Sequence, residues 1–163
     1  MESIKSSVKL IFSFCRNILV IWLLIFSSFN GVLADQVSCE KIENYTRGWG
    51  NLKTCFMNET TKVTSVDTTI ASQDESIEVL FFYFNKKIKF LPIEVNEKLS
   101  NLVQIQAAYC SLTTISKANF KGLSKLRVLS LYMNQIGKIR SDVFDDLVAL
   151  NYLYLSKFTL NYF

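Results

Sequence analysis

Apolar positions recur at a fixed interval over the second half of the chain. Ile88, Leu112 and Ile136 are 24 residues apart, as are Leu91, Ile115 and Ile139. The same step links Leu99, Leu123 and Leu147, then Leu102, Leu126 and Leu150. It also links Ile105, Leu129 and Leu153, then Ala107, Leu131 and Leu155. Alternation in pairs such as Leu129 and Leu131 has period two, which predicts a short strand sending those side chains to one face. Phe120 and Phe144 hold a seventh column, which Asn96 breaks, and they bring a returning segment back onto the core. No single unit can bury its apolar edge alone, so the units must stack. Repeats are expected over 77–163, with units near 77–101, 102–125 and 126–149 and a partial one at 150–163.

The clearest unit reads Leu126-x-x-Leu129-x-Leu131-x-x-Asn134-x-Ile136, and the one before it Leu102-x-x-Ile105-x-Ala107-x-x-Cys110-x-Leu112. These resemble the extracellular leucine-rich-repeat family, whose pattern is LxxLxLxxN/CxL. The chain is similar to its short secreted arthropod members with 24-residue repeats. The resemblance implies an α/β repeat fold: a short right-handed solenoid with parallel strands on its concave face. The convex side would be irregular, 3-10 or short helical, and the N-terminus a disulfide-stapled β-hairpin cap. Cys110 then stands in the Asn/Cys column as a buried structural thiol. Asn134, in the same column, can use its amide to satisfy backbone groups where the chain leaves the strand.

The pattern frays at both ends. Ile77-x-x-Leu80-x-Phe82-x-x-Asn85 fits the template, yet Ile88 comes one residue late, and subtracting 24 selects Phe81 and Tyr83 instead. A bulge and a slip of the first strand both fit. Downstream, Phe158 stands where Asn is expected and the chain stops at Phe163, with an uncapped, Leu/Tyr-rich last repeat. Either a truncated product or an end that docks on something, including a second copy, would account for it.

Residues between the core columns point away from the core. They are Gln104, Gln106 and Ala108, then Val128, Ser130 and Tyr132, then Tyr152, Tyr154 and Ser156, with two or more of Phe81–Phe84. The surface is neutral, with aromatics at its edges and amides between them. Tyr suits interfaces because its ring packs while its hydroxyl stays wet. Gln104, Gln106, Val128, Ser130, Tyr132, Tyr152 and Tyr154 are therefore the expected binding residues, for a protein partner whose identity the sequence does not give.

The first 34 residues differ from the rest. Lys5, Lys9 and Arg16 precede the apolar run Ile18–Phe26, and Val32-Leu33-Ala34 offers a small residue before Asp35. This is the order of a secretory signal peptide. Nine uninterrupted apolar residues fall short of the roughly 20 of a spanning helix, although an uncleaved membrane anchor is the alternative. Residues 35–76 would form the cap region. There Cys39 and Cys55 flank the turn signal Gly48-Trp49-Gly50-Asn51. A stapled hairpin fits the spacing and an oxidising compartment, the alternative being two free thiols. Closing such a loop would contribute roughly 3 kcal/mol. Asn44-Tyr45-Thr46 and Asn58-Glu59-Thr60 are N-glycosylation triplets.

Composition narrows the chemistry. The 163 residues include no His, which removes Ser-His-Asp and Cys-His catalysis and His-bearing metal sites. No CxxC pair is present. Without Lys5, Lys9, Arg16 and Glu2 the chain keeps 15 basic and 13 acidic residues, and Lys86-Lys87-x-Lys89 is too short for a nucleic-acid footprint. Asp142, Asp145 and Asp146 read as a solvated convex face. The expected function is secreted, extracellular recognition through the concave strands, with no catalysis, no cofactor and no metal. The alternatives are a membrane-held receptor ectodomain fragment and a truncated repeat protein with no activity of its own.

Overall fold

A computed structural model describes residues 36–46, 50–57, 60–72 and 74–155. The leader, Trp49, Asn58, Ser156 and Phe158 lie outside these residues. The expectations attached to them stay with the sequence.

One six-stranded sheet organises the chain. Its strands are β2 (Lys41–Tyr45), β3 (Leu52–Phe56), β5 (Val79–Phe81), β6 (Gln104–Gln106), β7 (Val128–Ser130) and β8 (Tyr152–Tyr154), neighbours in that order. All pairs from β3 to β8 are parallel, so each strand begins a new turn of a solenoid of about four turns. The central residues Cys55, Leu80, Ile105, Leu129 and Leu153 stack in register. All but Leu153 are buried, with Phe82, Ala107 and Leu131 two places on completing the core. The parallel stack thus begins at β3, one strand before residue 77.

The register also explains the late Ile88. The step is 25 residues from Cys55 to Leu80 and again to Ile105, then 24 to Leu129 and Leu153. Leu80 and Phe82 face the core, and Phe81 lies between them on the outer face, so the strand has neither slipped nor bulged. Two residues, Lys86 and Lys87, separate buried Asn85 from buried Ile88. Ser111 alone separates Cys110 from Leu112. The extra residue sits in the exposed turn after the strand, where an insertion disturbs no core contact.

Asn85, Cys110 and Asn134 line the start of that turn. The Asn134 amide donates to the Ala107 and Leu131 carbonyls at 2.7 and 2.8 Å and accepts the Leu112 N–H at 3.1 Å. Asn85 likewise donates to the Thr61 carbonyl at 3.0 Å. Cys110 Sγ donates to the Phe82 carbonyl at 3.2 Å. Each residue supplies buried backbone with a partner that the bend would otherwise remove. Burial pushes the Cys110 thiol up to about 11, against the Asn85 N–H and the Lys86 charge. An inert structural thiol follows.

The return side holds β4 (Thr69–Ile70) and two four-residue helices, α1 (Val95–Lys98) and α2 (Lys117–Phe120). The segment that follows the third repeat strand, around 141–146, forms turns rather than a helix. Val95, Asn119 and Val143 share a buried column. Asn119 survives there because its amide donates to the Leu91 carbonyl at 2.8 Å and accepts the Ser116 N–H at 2.7 Å. Phe120 is buried and packs on Phe144, ring centres 5.7 Å apart.

The N-terminal end is covered on both sides. β2 folds antiparallel onto β3, and Cys39 is disulfide-bonded to Cys55 with their Cα atoms 5.2 Å apart. β1 (Gln36–Val37) pairs in parallel with β4 on the return side. Among the described residues β8 ends the sheet, and Leu153, between Tyr152 and Tyr154, is exposed.

Candidate binding surface

The sheet face opposite the core carries side chains in columns set by the parallel register. Thr54, Val79, Gln104, Val128 and Tyr152 form one column, and Phe56, Phe81, Gln106, Ser130 and Tyr154 the next. Successive side chains in a column stand about 4.8 Å apart, the spacing of neighbouring strands. Aromatic rings in adjacent columns can therefore meet.

They do so over most of the face. Tyr45 from β2 packs on Phe56 and Phe81 at 5.8 and 5.5 Å between ring centres, and Phe56 meets Phe81 at 5.1 Å. Phe81 touches Tyr83 at 5.7 Å, and Tyr83 touches Phe84 and Tyr109 at 4.3 and 5.7 Å. Tyr109 then meets Tyr132 at 5.0 Å. Among the described residues, seven rings form one continuous cluster from the cap hairpin to the turn after β7. Beside it, Tyr45, Phe56, Phe81, Tyr83, Phe84, Gln104 and Gln106 line a cleft of about 570 Å³, with no charged side chain in its wall among the described residues.

A chain of hydroxyls fixes the middle of the cluster. Tyr83 and Tyr132 lie two turns apart with Ala108 between them, and their hydroxyl oxygens are 2.9 Å apart. Ala108 is fully buried beneath them, so the small residue is the floor that lets the two tyrosines meet. The Tyr132 hydroxyl is pushed above its ordinary value by its bond to Tyr83, and that of Tyr109 by its bond to Tyr132.

The expected binding residues divide by exposure. Tyr152 and Tyr154 are exposed, and Gln106 and Tyr132 are half-buried. Gln104, Val128 and Ser130 are buried, as is Ala108, so these four present little surface to a partner. Val128 and Ser130 are short side chains flanked in register by the longer Gln104 and Tyr152, and Gln106 and Tyr154. Tyr45, Phe56 and Tyr109 were not expected on this face. A 25-residue step taken back from Leu80 would have found Phe56.

Phe84, Tyr109 and Met133, each just before the Asn/Cys column, share left-handed backbone with φ of 65, 55 and 58°. Residues other than Gly adopt this conformation at a cost of about 1 kcal/mol each. Here the recurrence turns the chain off the strand once per repeat and throws a large side chain outward. Phe84 and Met133 are 58% and 55% exposed, and Phe84 stacks on Tyr109 at 4.6 Å.

On the return side, the three aspartates are engaged. Asp142 pairs with Arg140, which holds its carboxyl below the usual range, and Asp145 pairs with Lys117. Asp146 accepts the Gly122 N–H at 2.8 Å. Asn44, the first glycosylation candidate, is exposed on β2 opposite Lys53.

Residues 100–157 match the family model described as leucine rich repeat. With the stacked parallel strands, the match supports a leucine-rich-repeat protein. No curated protein matches the chain, and no solved structure matches it. Leucine-rich repeats in general point to protein–protein interaction and serve as non-enzymatic binding scaffolds. The matched segment carries Tyr109, Tyr132, Tyr152 and Tyr154, while Tyr45, Phe56, Phe81, Tyr83 and Phe84 precede it.

Proposed function

We propose that this chain is a secreted, extracellular recognition module that holds a protein partner against the outer face of its strands and performs no chemistry. The observation that carries the reading is the continuous cluster from Tyr45 to Tyr132 beside a cleft whose described lining is uncharged. Preformed rings lose little entropy on binding, and Tyr is enriched at the centres of interfaces. Tyr152 and Tyr154 extend the surface on the β8 side. Secretion rests on the leader at 1–34 and is supported by the Cys39–Cys55 disulfide, which suits an oxidising compartment. Glycans on Asn44 and Asn58 would keep the cap's edge facing solvent.

The test is expression in a secretory host. Mass spectrometry of the product should find Asp35 as the first residue, and an intact Met1 would overturn secretion. Capture of extracellular partners by the wild-type chain is then compared with Tyr132→Ala and Tyr154→Ala. Loss of a captured protein with either variant is expected. Undiminished capture by both would place binding elsewhere.

A further inference from the structure

The bend after the strands has a charge pattern that the linear sequence hides. Its four successive turns, residues 60–66, 85–90, 110–116 and 134–140, hold Lys62, Lys86, Lys87, Lys89, Lys138 and Arg140 and no acidic residue of their own, although the Glu40 carboxylate reaches the first turn, accepting from the Thr60 and Thr61 hydroxyls, and Asp142 pairs with Arg140 at the last. The parallel bridge Val63–Ile88 sets Lys62 beside Lys87, one strand spacing of about 4.8 Å apart. Lys62, Lys86, Lys87 and Lys89 are exposed, and of the six only Arg140 makes an ion pair among the described residues. Lys86 Nζ reaches the Cys110 carbonyl at 3.2 Å, which places its charge beside Tyr109. The basic bend therefore adjoins the stripe of Phe84 and Met133, both exposed, and the half-buried Tyr109.

We propose that this bend and stripe dock an acidic segment of the protein partner, with apolar side chains on Phe84 and Met133 and carboxylates on Lys62, Lys86 and Lys87. Charge complementarity selects the acidic partner: the six cations here outnumber Glu40 and Asp142, the carboxylates seen to reach these turns among the described residues, and interfaces are arranged so that opposite potentials meet. The exposed apolar stripe selects a polypeptide over a bare polyanion, which has nothing to place on Phe84 and Met133. The inference rests on the protein-recognition reading and adds the chemistry of the partner.

Fluorescence anisotropy with the full chain tests it. The probes are a short synthetic peptide alternating Glu and Leu, the same peptide with Gln for Glu, and one with Lys for Glu. The Glu peptide should bind roughly tenfold more tightly than the Gln peptide. It should lose most of that advantage between about 0.1 M and about 1 M salt, as the screening length falls from about 10 to about 3 Å. Lys62→Glu/Lys87→Glu should weaken it by roughly tenfold, and Phe84→Ser should weaken both the Glu and Gln peptides. Circular dichroism of each variant confirms folding. Equal binding of the Glu and Gln peptides, or no change with the lysine variant, overturns the proposal. So does sedimentation with phosphatidylserine vesicles that the same variants abolish while the Glu peptide does not bind. If the peptides fail but Tyr132→Ala still abolishes partner capture, the recognition reading stands and the acidic chemistry falls.

Discussion

Cys110 gives the sharpest test of the stacked core. Its thiol is buried against the Phe82 carbonyl, and burial lifts it from an ordinary 9.0 to about 11. Below about pH 9 the proton is held in both the folded and the unfolded chain, and stability does not change with pH through this group. Between pH 9 and about 11 the unfolded chain releases the proton while the folded chain keeps it. The unfolded state gains, and stability falls as pH rises through this window. Two units of separation at about 1.4 kcal/mol each amount to about 3 kcal/mol. Cys110→Asn provides the reference, because Asn already fills this column at positions 85 and 134. Urea unfolding of both chains from about pH 8 to about pH 11, where the folded thiol is half ionised, should show wild type losing about 2 kcal/mol more than the variant. Tyr and Lys titrations are common to both and cancel in the difference. A difference that stays flat across the window refutes the buried-thiol reasoning. Alkylation of the native thiol at the rate of a free cysteine at about pH 8 refutes it equally.

Three further perturbations probe the frame. Cys39→Ser/Cys55→Ser opens the staple and should cost about 3 kcal/mol, read as a lower urea midpoint. Asn119→Ala leaves the Leu91 carbonyl and the Ser116 N–H without their partner and should cost about 1–3 kcal/mol; a neutral effect in the same assay would show that water replaces the amide. Gly122→Ala puts a Cβ at φ +73°, 2.9 Å from Asn96 Nδ2, and should cost about 1 kcal/mol or more in thermal unfolding, whereas Gly137→Ala, which meets nothing within 4 Å, should not.

The core of the solenoid was legible because burial imposes one period on every turn. Ile105 stands in a column that Leu80, Leu129 and Leu153 share, and Ala107 stands where its neighbours are Phe82 and Leu131. The columns persist because any apolar side chain of suitable size fills them. The step of 25 was harder to read, because the residue that lengthens it, in Lys86-Lys87, lies where solvent tolerates any length. The stack before residue 77 was hidden for the same reason and one more: its core residues are Cys55, Met57 and Val63 rather than Leu. The outer face depends on a different kind of information. Tyr83 and Tyr132 are 49 residues apart and meet only because Ala108 leaves room between them, so the identity of a small residue decides a contact it does not make. Tyr109 has no place in the two-residue alternation. Its place on the outer face follows from left-handed backbone at 84, 109 and 133, a feature that Phe, Tyr and Met do not announce and Gly would have. Residue type therefore marks the face turned to the core, where water is excluded from every turn alike. On the face left for a partner the register must be known first, because neighbouring turns contribute the side chains that touch.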